Sequence, residues 1–71
     1  MINTTHVQLR QSPTELFKIL KFEGIASSGA EAKQMIADGM VSVNGETELR
    51  KRRQIVAGDM IQIDQQQLLI S

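Results

Sequence analysis

Apolar positions recur at helical spacing in the first half of the chain and alternate in the second, with the change near Gly39. Leu16, Ile19 and Leu20 stand at i, i+3 and i+4, so a helix would carry all three on one face. Ser12 and Glu15 have capping-box spacing, Pro13 falls at a first helical position, and Gly24 is placed to end the element. These signals predict a helix over residues 12–22. Ser28 and Glu31 repeat the capping spacing, Ala32, Met35 and Ile36 form a second stripe, and Gly39 supplies the stop. A second helix is expected over residues 28–38. Two short helices cannot bury their stripes against water, so they must share a core with the second half of the chain.

Beyond Gly39 the pattern has a period of two. Val41 and Val43 flank Ser42, and Asn44-Gly45 is a strong hairpin signal because both turn positions favour positive φ. Residues 46–50 are expected to return as the partner strand. Ile55-Val56 leads into a turn at Ala57-Gly58-Asp59, and Met60 to Ile63 alternates again. A turn at residues 64–66 and a last strand over 67–70 close the pattern, while His6 to Leu9 gives a short strand near the start. The order predicts an α+β fold: two short helices packed on a small antiparallel sheet with an Asn-Gly hairpin.

Composition narrows the class. The 71 residues suit one domain, near the lower limit for folding without a staple. Cysteine is absent, which excludes disulfides and thiolate metal sites and makes a reducing compartment the expectation. No signal-peptide pattern opens the chain, and its longest apolar runs, such as Leu68-Leu69-Ile70, fall far short of a membrane span. A cytoplasmic protein without a membrane partner is expected. Only two aromatic residues occur, both Phe, and a small core is expected to claim them. That expectation argues against base stacking as a mode of recognition.

Charge changes the picture more. Eight Lys and Arg balance eight Asp and Glu, yet half of the positive charge falls in the run Arg50-Lys51-Arg52-Arg53. Residues 1–49 carry four basic and six acidic side chains, and residues 54–71 carry two acidic ones and no basic one. Four adjacent cations repel one another and cannot all be buried, so most of the run should be exposed and contribute little to stability. A polyanion such as nucleic-acid phosphate would neutralise it. The plainer alternative is a solvated edge kept basic for solubility.

Catalysis finds little support. His6 is the one histidine and has no nucleophile or acid at triad spacing. Glu46 and Glu48 alternate on a predicted strand, where neighbouring Arg or Lys is a better partner for them than a metal ion. Gly24 and Gly29 lack phosphate-loop spacing. No catalytic residue, metal site or cofactor is assigned. The start of the second helix, at Ser28 and Gly29, offers free N–H groups that can hold a phosphate. Lys33 projects from the same side, and Gln34 could donate to a phosphate or a base edge.

Taken in order, Leu20-Lys21-Phe22-Glu23-Gly24, Ser28-Gly29-Ala30-Glu31-Ala32-Lys33 and Gly39-Met40-Val41-Ser42-Val43-Asn44-Gly45 resemble the S-four-like RNA-binding domain, named for a small-subunit ribosomal protein. The resemblance spans about residues 14–63 of one domain, 1–71, and is closest to stand-alone bacterial members. It continues through Glu48 to Arg53 and Gly58-Asp59-Met60-Ile61. It implies that the helical pair and the hairpin form one basic groove for RNA, with Lys21, Lys33, Asn44, Arg50, Lys51, Arg52 and Arg53 at the matching polar positions. Ser28 and Gln34 join them from the helix-terminus reading. The ribosomal version opens its first helix with Arg-Leu-Asp and often has a basic residue at the position of Gly29, so this chain offers fewer phosphate contacts on its helical side. The function expected is a non-enzymatic, monomeric module that recognises structured RNA mainly through phosphate contacts, with the ribosome or RNA-processing proteins as further partners. The rival is an adaptor docking on an acidic protein surface through the same run. A third, weaker reading is an accessory to an RNA-modifying partner.

Overall fold

The structure is a computed structural model that describes residues 2–71. In chain order its elements are β1 (Asn3–Val7), β2 (Thr14–Glu15), α1 (Leu16–Phe22), α2 (Gly29–Ala37), β3 (Val41–Val43), β4 (Glu46–Thr47), β5 (Gln54–Ile55), β6 (Met60–Ile63) and β7 (Gln66–Ile70).

α1 begins later than Ser12 and Pro13 predict, and the reason is non-local. Thr14 and Glu15 pair antiparallel with Ile55 and Gln54, which holds the chain extended up to the first helical residue. Glu15 is the N-cap and makes no side-chain cap. The orphan N–H groups of the first turn find other acceptors: Leu16 donates to the Arg53 carbonyl at 2.9 Å and Phe17 to the Lys51 carbonyl at 3.1 Å. The backbone of the basic run therefore caps α1. At the other end Gly24 takes φ of 75°, and its N–H donates to the Lys21 carbonyl.

α2 agrees closely with the sequence pattern. Ser28, extended at φ −155° and ψ 167°, accepts a hydrogen bond from Glu31 N at 3.1 Å. The reciprocal contact falls one residue earlier than expected, since the Glu31 carboxylate accepts from Ser27 N at 3.3 Å and Ser27 Oγ at 2.7 Å. Asp38 closes the helix where the pattern placed its end.

The larger sheet has the order β1-β7-β6-β3-β4, and β2 and β5 form a separate pair. Register explains the alternation. Val43 lies opposite Ile61, and Ile61 opposite Leu68, a buried row that faces the helices. Ser42, Gln62, Gln67 and Thr4 form the adjacent row on the other face. Leu16, Ile19 and Leu20 of α1 join Ala32 and Ile36 of α2 over the apolar face. Each Leu or Ile buried there contributes on the order of 1.5–3 kcal/mol. The turn Asn44-Gly45 has φ of 54° and 87°, the pair of positive values of a type I′ turn. All pairings among β3, β4, β6 and β7 are antiparallel, as expected, while β1 adds to the outer edge of β7 in parallel.

Two expectations fail. The partner strand after the hairpin ends at Thr47 instead of running to Arg50: Glu48 keeps one bond to the Val41 carbonyl, and beyond it the Arg50 N–H turns back to the Glu48 carboxylate. The core also does not claim both Phe residues: Phe17 is half-buried and Phe22, in the last turn of α1, is 70% exposed. Phe burial thus gives no ground for excluding aromatic contacts. No helix among the described residues is long and apolar enough to cross a membrane.

Candidate nucleic-acid interface

Glu48 organises the basic run. It is the one buried charged residue among those described, 6% exposed. Arg50 clamps its carboxylate through Nε to Oε2 at 3.0 Å and Nη2 to Oε1 at 3.2 Å. The Arg50 backbone N–H adds a third bond at 3.0 Å, and Arg53 Nη1 reaches Oε1 at 2.7 Å. These bonds, the Arg50 side chain first, outweigh burial and hold the carboxyl well below its ordinary 4.5, at about 2. Burial of a carboxylate costs several kcal/mol unless it is paired and hydrogen-bonded, and here it is both.

Most of the run is exposed, as expected, but the expectation that it contributes little to stability is corrected for Arg50 and Arg53 by this pairing. Arg53 is half-buried and engaged with Glu48, and Arg50 is exposed yet fixed to the same carboxylate. Arg52, exposed, leans toward the half-buried Glu15 at 3.8 Å, a loose contact. Lys51 has no ion-pair partner among the described residues. Glu46, expected to share the cations, is exposed and takes no part.

Holding Glu48 in holds Leu49 out. Leu49 is 62% exposed beside a carboxylate that is nearly covered. Exposure of a leucine forgoes about 1.5–3 kcal/mol, the reverse of what apolar burial alone would select. Glu48 still lies opposite Val41, to whose carbonyl its N–H donates at 2.9 Å, so it shares the core-facing side of Val41 and Leu49 falls on the other.

An open groove of about 1020 Å³ runs between this loop and α2. One helix face, with Ala30, Lys33, Gln34 and Ala37 at i, i+3, i+4 and i+7, forms one wall. Leu49, residues 50–53 and Gln54 form the other. Five cations line it, and no carboxylate does. Lys33 is aimed by Phe17, whose ring lies 4.6 Å from Lys33 Nζ. Phe17 also donates its backbone N–H to Lys51, so one residue ties α1, the loop and α2 together.

Of the residues singled out in the sequence, Lys33, Gln34, Arg50, Lys51, Arg52 and Arg53 are brought to this groove. Gln34 gives its amide N–H to Asp38 at 2.8 Å. Lys21 lies in the last turn of α1, away from the lining residues. Ser28 is occupied as a cap, and the Glu31 carboxylate bonded to Ser27 stands where a phosphate at that helix end would bind. Asn44 is committed to its turn: its side chain donates to Asp59 at 3.0 Å and accepts from Met60 N at 2.9 Å. Sequence reasoning missed Phe17, Leu49 and the inward turn of Glu48. The i, i+2 and i, i+5 spacing of Glu48 from Arg50 and Arg53 was the available signal for the last.

Among the described residues, no group of three or more His, Cys, Asp or Glu could hold a metal ion. A small α+β domain with a cationic groove between a helix and a hairpin-derived loop agrees with what comparison with known proteins finds. Residues 7–71 match the S4 domain, and the chain belongs to that family. Among individual proteins it is similar to YbcJ of Escherichia coli (strain K12), 53% identical over 47 residues, which are 66% of this chain and 67% of that protein. It is also similar to the small ribosomal subunit protein uS4m of Schizosaccharomyces pombe, 41% identical over 44 residues, 62% of this chain but 14% of the much longer relative. The solution structure of YbcJ from E. coli matches with a TM-score of 0.67 and 42% identity over 97% of this chain and 91% of that one. That structure is described as revealing an alfaL motif involved in RNA-binding.

Proposed function

We propose that this protein is a non-catalytic RNA-binding module of the cytoplasm that recognises structured RNA through phosphate contacts in the groove between α2 and residues 50–53. The observation that carries the reading is the groove's charge: five cationic side chains and no carboxylate line it, in a chain whose total charge is balanced. Such a concentration of one sign focuses the field on a polyanion. Lys33, Arg50, Lys51 and Arg52 are the proposed phosphate contacts, and Arg53 chiefly sets the shape of the loop. The similarity to YbcJ and its RNA-binding motif supports RNA as the ligand, and the similarity to uS4m makes ribosomal RNA the first class to try.

The test is direct. The chain has no Trp or Tyr, so nucleic acid that copurifies with it stands out in ultraviolet absorbance. RNA retained at low salt and removed by nuclease or high salt is the expected result. A preparation free of nucleic acid that also fails to shift added ribosomal RNA fragments would favour an acidic protein surface as the partner.

A further inference from the structure

We propose that the groove takes RNA at an unpaired nucleotide, whose base packs on Leu49 while the flanking phosphates meet Lys33 and the outward cations of residues 50–53. The inference rests on the RNA-binding reading above and specifies which RNA fits that site. Its starting point is the inversion at Glu48 and Leu49. A carboxylate is drawn in by two arginines and a backbone N–H, and the leucine beside it is left 62% exposed. That leucine lies in the most cationic surface of the molecule, opposite the small side chains Ala30 and Ala37 of α2.

A continuous A-form duplex presents phosphates and 2′-hydroxyls to a protein, and its base faces are hidden in the stack. Nothing on such a duplex would cover an exposed leucine. An unpaired nucleotide differs, because its base offers a broad, weakly hydrated face while its own and neighbouring phosphates keep their charge. Leu49 and the two alanines match the first feature, and the five surrounding cations match the second. An acidic protein segment with an apolar side chain would satisfy both demands less well, since carboxylates are spaced irregularly whereas phosphates flank every base.

The experiment uses the full chain and RNA hairpins of equal length. One set carries a single bulged 2-aminopurine in the stem, and the other carries the same nucleotide paired. With no Trp or Tyr in the protein, the emission belongs to the RNA probe alone. The bulged hairpins should bind about tenfold or more tightly than the paired ones, with a change in 2-aminopurine emission on binding. Leu49→Ser should bring the two affinities within about twofold without moving the melting temperature, and Leu49→Met should retain the preference. Equal affinity for both sets, or a preference unchanged in Leu49→Ser, overturns this inference alone. Binding of neither set overturns the RNA reading and this inference with it.

Discussion

Glu48 Oε1 accepts a 2.7 Å hydrogen bond from Arg53 Nη1, and this pair divides four consecutive basic residues between two tasks. Arg53, with Arg50, neutralises a buried carboxylate and fixes the loop. Lys51 and Arg52, the latter held only by its 3.8 Å contact to Glu15, project outward to meet a ligand. Arg50 stays exposed enough to join them while it clamps the carboxylate. Arg53→Gln should therefore lower stability by about 1–3 kcal/mol, the usual cost of losing a hydrogen bond to a charged group. Lys51→Glu should leave the melting temperature within experimental scatter. Equal melting temperatures for the two variants, measured by circular dichroism, would contradict the division.

The same carboxylate gives folding a pH dependence. Its value is depressed in the folded state, so its contribution is complete above the ordinary 4.5 and is lost as pH falls toward about 2. Asp59, held low first by the Val56 N–H, adds to the slope with the same sign. Thermal melts across this window should show stability falling with acidification. Glu48→Gln should be less stable at neutral pH and show a shallower slope, because the Asp59 contribution remains. Identical slopes would mean that Glu48 is not the group responsible.

The hairpin turn offers a test independent of charge. Gly45 has φ of 87°, a region where a β-branched residue is strained. Gly45→Val should cost on the order of 1–2 kcal/mol or more. That is a sizeable share of the stability of a domain this small. A variant that melts at the wild-type temperature would show that the turn tolerates the side chain.

These residues also show what could be read from the chain. Ser28 with Glu31 and Asn44 with Gly45 act within a few residues of each other, so local pattern was enough to place α2 and the hairpin. The start of α1 escaped because its cap is the backbone of residues 51 and 53, far along the chain, and the Ser12 and Pro13 signals lost to the pairing of β2 with β5. Alternation over His6 to Leu9 placed the strand three residues late, since β1 runs from Asn3 to Val7, and could not name its partner, because the edge of β7 becomes available only once the sheet exists. Phe22 fits the i+3 position after Ile19, yet it falls in the final turn, where no neighbouring element covers it. The charge run identified the groove. Which of its members turn inward depended on Glu48, which the register opposite Val41 puts on the core side. A carboxylate in that place needs partners that the local pattern did not single out.

Glu15, itself half-buried, contacts the exposed Lys18 at 3.1 Å and the exposed Arg52 at 3.8 Å. Such pairs contribute under about 1 kcal/mol. Glu15→Lys should change stability by no more than that and should not weaken RNA binding, because it frees Arg52 and removes a nearby negative charge. A marked loss of affinity in this variant would indicate that Glu15 orients Arg52 for its ligand.

Whether Lys33 and the outward cations hold phosphate is read most directly from RNA binding measured by anisotropy across a range of salt concentrations, for the wild type and for Lys33→Glu with Lys51→Glu. With about four phosphates neutralised, log K should fall against log salt with a slope of roughly −3. The double variant should bind tenfold or more weakly, about 1.4 kcal/mol, with a shallower slope and an unchanged melting temperature. A wild-type slope near zero, or a charge-reversed variant that binds as tightly as the wild type, would contradict recognition through phosphate in this groove.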